Sequence, residues 1–138
     1  MTPFQSTMTL THGGTMAMLQ AAIAQAEAMG QPQCIVIVDA SGELLGEIRM
    51  TGARFLSRKS ALAKARTAAS TGAPSAAIPE AVRQGLGLAT GGAVTGLAGG
   101  LPIRVKGALL GGIGVGSGSG DQDVEVAKAA LTAIGADA

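Results

Sequence analysis

The sequence has no tryptophan and no tyrosine, and only two phenylalanines, Phe4 and Phe55, in 138 residues. A core without rings must be filled by Ala, Leu, Ile, Val and Met, and the stacking platforms that hold single-stranded nucleic acid are missing. Charge of one sign is missing too. Ten Lys and Arg against nine Asp and Glu leave a net charge of +1, far from the dense basic surface that grips a phosphate backbone, so no nucleic acid is expected as a partner. A single cysteine, Cys34, cannot close an intrachain disulfide. Its place in the apolar run Cys34-Ile35-Val36-Ile37-Val38 predicts a buried, reduced thiol and a reducing compartment. The first six residues lack the basic start and apolar stretch of a signal peptide, and no run approaches the ~18 apolar residues of a membrane span. The expectation is a cytoplasmic protein without a membrane partner. One histidine and one cysteine at distant positions cannot build a metal cluster, and no local motif supports a Ser-His-Asp triad.

Glycine, by contrast, is abundant, at 22 of 138 residues against an ordinary share of roughly 7%. The glycines sit between apolar runs and in no repeat, which excludes collagen and a disordered tail and marks turns and close backbone approaches. With 47% hydrophobic residues and this length, the chain 1–138 reads as a single domain with a real core.

Residues 11 to 29 carry Met16, Leu19, Ile23 and Ala26 at helical spacing with Gly30 as the stop, predicting an amphipathic helix. The runs 34–39 and 44–50, joined by a turn shaped by Asp39 and Gly42, predict a β-hairpin that turns Glu47 and Arg49 to one face. Residues 54 to 71 are Ala-rich, free of Gly and Pro, and predict a second helix ending before Gly72. A short helix should begin near Pro79 and run into the glycines after Gln84. Residues 101–105 and 108–115 predict two more strands around a Lys106-Gly107 turn. Asp121 or Asp123 should start a last helix with Val124, Ala127, Leu131 and Ile134 on its buried side. Two hairpins with interleaved helices give an α+β fold, an antiparallel sheet with flanking helices.

Three features carry chemistry. In the second helix Ser57, Ser60, Lys64, Thr67 and Thr71 recur at spacings of three and four and share one stripe. A lysine among hydroxyls can hold a carboxylate or, with a depressed pKa, act as a base or amine nucleophile; the alternative is a snorkelling lysine whose hydroxyl neighbours bond back to their own helix. Between Ile48 and Pro79 stand Arg49, Arg54, Arg58, Lys59, Lys64 and Arg66 with no acid at all. That excess suits an anionic ligand, or an oligomer contact with acids from elsewhere such as Glu47, Glu80 or Asp123. The glycines at 99–100 and 111–114 fit neither a dinucleotide fingerprint nor a P-loop. They suit a tightly packed sheet better than a ligand loop.

Five segments together resemble a known family. They are Val38-Asp39-Ala40-Ser41-Gly42 with Arg49-Met50; 61–68 with Lys64-Ala65 and Thr67-Ala68; Gly99-Gly100-Leu101-Pro102-Ile103; 111–118; and Gln122-Asp123. In this order and spacing they are similar to the GlcG/HbpS family, the haem-degrading domain, itself similar to the PduO C-terminal domain, over roughly residues 9–135. The sequence departs from the pattern at Thr51, where an acid commonly follows, and in the loose run 116–120.

The resemblance implies a profilin-like or PAS-like single domain, a homo-oligomer, and a small-molecule binding protein holding haem or another tetrapyrrole in a glycine-lined pocket. Cofactor-binding residues would then be His12, Lys64, Ser60, Gly99 and Gly100, with the basic residues receiving carboxylates. His12, the only histidine, is the candidate iron ligand. The alternative is a cofactor-free catabolic or biosynthetic enzyme, an isomerase, lyase or hydrolase, acting on a small anionic substrate with Lys64 and Arg49 as its catalytic residues. A third reading is a regulatory or assembly module without a ligand. A haem slot gains from aromatic walls, of which this chain has almost none.

Overall fold

The structure, a computed structural model, describes residues 1–137. Thr11 opens the first helix by accepting the Gly14 N–H on its hydroxyl at 3.1 Å, and α1 runs from His12 to Ala28. Strands β1 (Cys34–Asp39) and β2 (Leu44–Arg49) follow, then α2 (Ser57–Thr71), a 3-10 turn at Ser75–Ala77 and α3 (Glu80–Ala89). Strands β3 (Gly100–Val105) and β4 (Ala108–Gly116) lead to α4 (Gly120–Ala133).

The two hairpins join through β1 and β4, giving one antiparallel sheet in the order β2-β1-β4-β3. Because strand residues alternate between faces, β1 supplies Ile35 and Ile37 to one side and Cys34, Val36 and Val38 to the other. The first side packs on α1 and α4 through Met18, Leu19, Val126 and Leu131. The second packs on α2 through Ala61, Ala65 and Ala69. The domain therefore has three layers with the sheet in the middle.

The α2 layer sits unusually close. A Cβ added to Gly114 would lie 1.9 Å from the Ala61 carbonyl oxygen, and one on Gly112 would lie 2.2 Å from that of Ala65. Gly116 faces Ser57 in the same way, at 3.0 Å. Alternate glycines of β4 thus receive successive turns of α2, backbone against backbone. The sequence expectation of structural glycines in a packed sheet describes these positions.

Several boundaries and faces differ from expectation. Helix α2 begins at Ser57, because residues 54–56 form turns, and it ends at Gly72 with φ 68°. Helix α3 continues through Gly85 and Gly87, where neither has a positive φ, and stops only before Gly91 and Gly92, which do. Helix α4 is capped by Ser119 and Gln122 rather than started by an aspartate. Met16, expected on the buried side of α1, is 53% exposed while Met18 is fully buried. The buried stripe of α1 runs through Thr15, Met18, Ala22 and Ala26, where small side chains let the helix approach α4. In α4 the buried set is Asp123, Val126, Ala127, Ala130 and Leu131, leaving Val124 and Ile134 half-buried. No helix among the described residues is long and apolar enough to cross a membrane.

The close seat of α2 makes a test. Gly114→Ala must push backbone away from backbone and should lower stability by about 3 kcal/mol. Gly85→Ala, in a helix with open space at the Cβ, should raise it by roughly 0.5–1 kcal/mol. Urea unfolding midpoints of the two variants measure both.

Candidate functional site

Lys64 leaves the middle of α2 with its carbonyl seated against Gly100, where a Cβ would come within 2.3 Å of the oxygen. Its side chain passes Gly99, the residue before β3. Gly99 has φ 128°, and any Cβ there would strike the Val115 carbonyl at 2.6 Å, the Asp123 Cβ at 2.9 Å and the Lys64 Nζ at 3.0 Å. Beyond that gap Nζ donates to the Val115 carbonyl at 2.8 Å and to Asp123 Oδ2 at 3.0 Å. Both partners are sealed: Lys64 is 5% exposed and Asp123 2%. The pair ties α2, on one face of the sheet, to the first turn of α4, on the other.

Asp123 also accepts the Gly118 N–H on Oδ1 at 3.1 Å. The fully buried Gln33 amide lies beside the same carboxylate, since a Cβ on Gly118 would meet Gln33 Nε2 at 2.6 Å and Asp123 Oδ1 at 2.8 Å. It helps to hold the carboxylate ionised, yet neither amide atom forms a hydrogen bond of good geometry. Burial pushes the Asp123 carboxyl above the usual carboxylate range, and Lys64, Gly118 and Gln33 offset only part of that. A carboxyl raised in the native state stabilises the fold when protonated, below its unfolded value, and that contribution is lost as pH rises through the native value.

The hydroxyl stripe around Lys64 turns inward on the helix. Ser60 donates to the Ser57 carbonyl at 3.1 Å, Thr67 to Ala63 at 2.7 Å and Thr71 to Thr67 at 2.8 Å. Thr67 also accepts the Thr95 N–H. The structure therefore brings Lys64, Gly99 and Gly100 together, with Ser60 a turn away beside Gly116, in a place filled by the protein itself. The carboxylate facing Lys64 is Asp123, read from the sequence chiefly as a helix start and named among the acids that could meet the basic segment.

The basic segment divides. Arg58 pairs with Glu47, and Arg66 donates to the Gly42 carbonyl at 3.0 Å. Among the described residues Arg49, Arg54 and Lys59 have no carboxylate partner. Arg49 ends β2 on a cavity of about 680 Å³ whose apolar wall includes Ile23, Ala26, Pro32, Ile48 and Met50. A second cavity of about 630 Å³ shares Arg49, Met50 and Thr51 and adds Arg54, Phe55 and Leu56. The loop between them is pinned from elsewhere: Ser117 Oγ accepts the Arg54 N–H at 3.1 Å, and Gln31 donates to the Ser117 carbonyl at 3.2 Å. Met50 Sδ accepts the Gln33 N–H at 3.4 Å. Thr51 and the run 116–120, the two departures from the family pattern, thus meet at one end of the sheet.

His12 stands apart. It is the first residue of α1 and exposed, and its imidazole makes no hydrogen bond to another described residue. Ile23, on the Arg49 cavity, lies eleven residues further along, about 16 Å at 1.5 Å per residue. His12, Lys64 and Arg49 therefore occupy three separate places in one chain. Among the described residues no three His, Cys, Asp or Glu side chains gather as a metal site. Burial raises the Cys34 thiol pKa, and Sγ lies 3.5 Å from the Arg54 carbonyl it donates to.

This architecture and sequence match a family over residues 10–132, that of the haem-degrading protein HbpS-like. The chain belongs to the HbpS-like family. Its fold superposes on the Klebsiella pneumoniae protein ORFY with a TM-score of 0.92 at 28% identity, covering 98% of this chain and 97% of that one. A haem complex of PduOC gives 0.87 at 29% identity, with 94% and 98% covered. A double mutant of Streptomyces reticuli HbpS gives 0.83 at 34% identity, with 94% and 89% covered. No curated protein sequence matches the chain.

At neutral pH Lys64→Met leaves the Asp123 carboxylate buried without its cation and should cost about 3–5 kcal/mol of stability. Removing both charges, Lys64→Met with Asp123→Leu, should recover most of that loss. Thermal and urea unfolding of the single and double variants decide it; a double variant as unstable as the single one would mean that packing, not charge, dominates there.

Proposed function

We propose that this HbpS-like chain binds haem or another tetrapyrrole in the cavity at the end of β2, with Arg49 receiving a carboxylate and His12 reaching the metal from a neighbouring copy in a homo-oligomer. The observation that carries the reading is Arg49: a guanidinium without a carboxylate partner among the described residues, standing on a cavity walled by Ile23, Ala26, Ile48 and Met50, with Glu27 also on its lining but not paired to Arg49. A flat, mostly apolar ligand edged with carboxylates calls for that combination. Arg54, Phe55 and Leu56 continue it with a second unpaired cation and exposed apolar surface. The family, and the haem bound by PduOC, support the choice of ligand.

His12 fits the metal by chemistry, as an exposed imidazole of the type that ligates haem iron. The length of α1 keeps it from the Arg49 cavity of its own chain, so the reading places it on a second copy. Bound iron would supply a redox-active centre; the chain's part would be to seat the ring at the Arg49 cavity, hold its carboxylate with Arg49 and offer the His12 imidazole as a ligand. A cofactor-free enzyme acting on a small anionic substrate is the second reading, favoured by the raised Asp123 carboxyl beside Lys64. It requires α2 and α4 to part, because that pair is sealed.

A haemin titration followed at the Soret band tests the first reading. Binding should saturate, Arg49→Ala should weaken it about tenfold, and His12→Ala should shift the band. An equimolar mixture of the two variants should regain part of the native signal, because intact Arg49 and intact His12 can then meet across copies. Absence of saturable binding overturns the proposal, and a mixture no better than its parts removes the shared site.

A further inference from the structure

The opposite edge of the sheet carries another cavity, away from the two at the end of β2. It measures about 480 Å³ and lies between β3, α4 and the turn after α2. Its walls are apolar: Pro74, Leu101, Pro102, Leu131 and Ala136. Leu131 is almost fully buried and Leu101 packs on the main core, so the floor is rigid. The volume falls within the range of small-molecule sites, roughly 300–1,000 Å³.

The rim is cationic. Arg104 and Lys128 line it, and neither has a carboxylate partner among the described residues. Arg104 is fixed in place by donating to the Gly72 carbonyl at 3.0 Å and to that of Gly107 at 3.1 Å, which leaves guanidinium N–H groups over. Among the described residues the one acid lining the cavity is Asp137, which is engaged by the β3–β4 turn: its carboxylate oxygens accept the Lys106 and Gly107 N–H groups at 3.2 and 3.0 Å. Two cations against one engaged carboxylate leave the mouth positive.

We infer that this cavity is a second ligand site, for a small apolar monoanion of the aromatic carboxylate class. A peptide strand is a poorer occupant, although β3 is an edge. Pro102 offers no N–H in the middle of β3, and the Arg104 carbonyl is already taken by the Asp137 N–H at 2.7 Å. The site is separate from the one proposed above, since β2 and β3 lie on opposite edges of the sheet, three inter-strand spacings or about 14 Å apart.

The probe is 2-naphthoate, whose fluorescence is read cleanly because the chain has neither Trp nor Tyr. Titration should saturate at one site per chain. Thr132→Phe, which fills the cavity from an exposed position of α4, should abolish binding while the melting curve shows a folded protein. Lys128→Gln should weaken it about fivefold, and neutral 2-naphthamide should bind the native protein more weakly by a similar factor. Arg49→Ala locates the probe: loss of binding in that variant, with Thr132→Phe binding as the native protein does, would put naphthoate in the other cavity and overturn the inference. No saturable binding would overturn it as well. Equal affinity for naphthoate and naphthamide, with Lys128→Gln silent, would overturn the anionic class.

Discussion

The contact on which the rest of the structure depends is that between α2 and β4. Four residues of helix rise about 6 Å and two residues of strand about 6.7 Å, so an antiparallel helix can place one turn over every second strand residue. Ser57, Ala61 and Ala65 meet Gly116, Gly114 and Gly112 in that way. Such a match leaves no room for side chains on the strand and little on the helix, which accounts for the alanines of α2. It also moves the bulk of the core to the other face, where Ile35, Ile37, Ile103, Ile113 and Val115 pack under α1 and α4.

The same closeness dictates the fate of Lys64. With its carbonyl held against Gly100, its side chain can neither lie between helix and sheet nor reach solvent easily. The gap at Gly99 leads it to the Val115 carbonyl and to Asp123. A buried ion pair is weak support for stability as such, because desolvation offsets the attraction. Its geometric effect is plain, however: one bond fixes the start of α4 on one face of the sheet relative to the middle of α2 on the other. The unpartnered Gln33 amide shows that polar balance in this cluster is incomplete, in keeping with the raised Asp123 carboxyl.

Much of this was legible in the sequence, and what was not has physical reasons. The hairpins could be read from turn chemistry: Asp39 Oδ1 accepts the Ser41 and Glu43 N–H groups, and Lys106 and Gly107 both take positive φ in a two-residue turn. The apolar, β-branched run of β1 marked a strand, and the fold covers it on both faces. Helix faces were less legible. Met16 and Met18 are equally apolar, and only the approach of α1 to α4 through Ala22 and Ala26 decides which is buried. The extension of α3 through two glycines ran against propensity. The Lys64–Asp123 pair joins residues 59 apart, and no local pattern records such a partnership, though Lys64 itself drew notice through the stripe it shares. The isolation of His12 from Arg49 depends on helix length and strand direction together, which a list of candidate residues does not contain.

Where a ligand could sit follows from the packing. A strand bearing glycine at every second position leaves a hollow on one face; the residues alone suited a tightly packed sheet, and the family resemblance implied a glycine-lined pocket. In the folded chain that hollow is occupied by the backbone of α2, and the more closely the glycines admit the helix the less space remains for anything else. Central strands β1 and β4 are thus covered on both faces. The roomier hollows lie where the layers end, beyond the last pair of β1 and β2 and along the outer side of β3. Arg49 stands at the first of these places and Arg104 with Lys128 at the second, because a cation without a carboxylate partner is tolerated only where water can reach it. Tight glycine packing in the middle and unpaired cations over apolar floors at the margins are two results of one constraint.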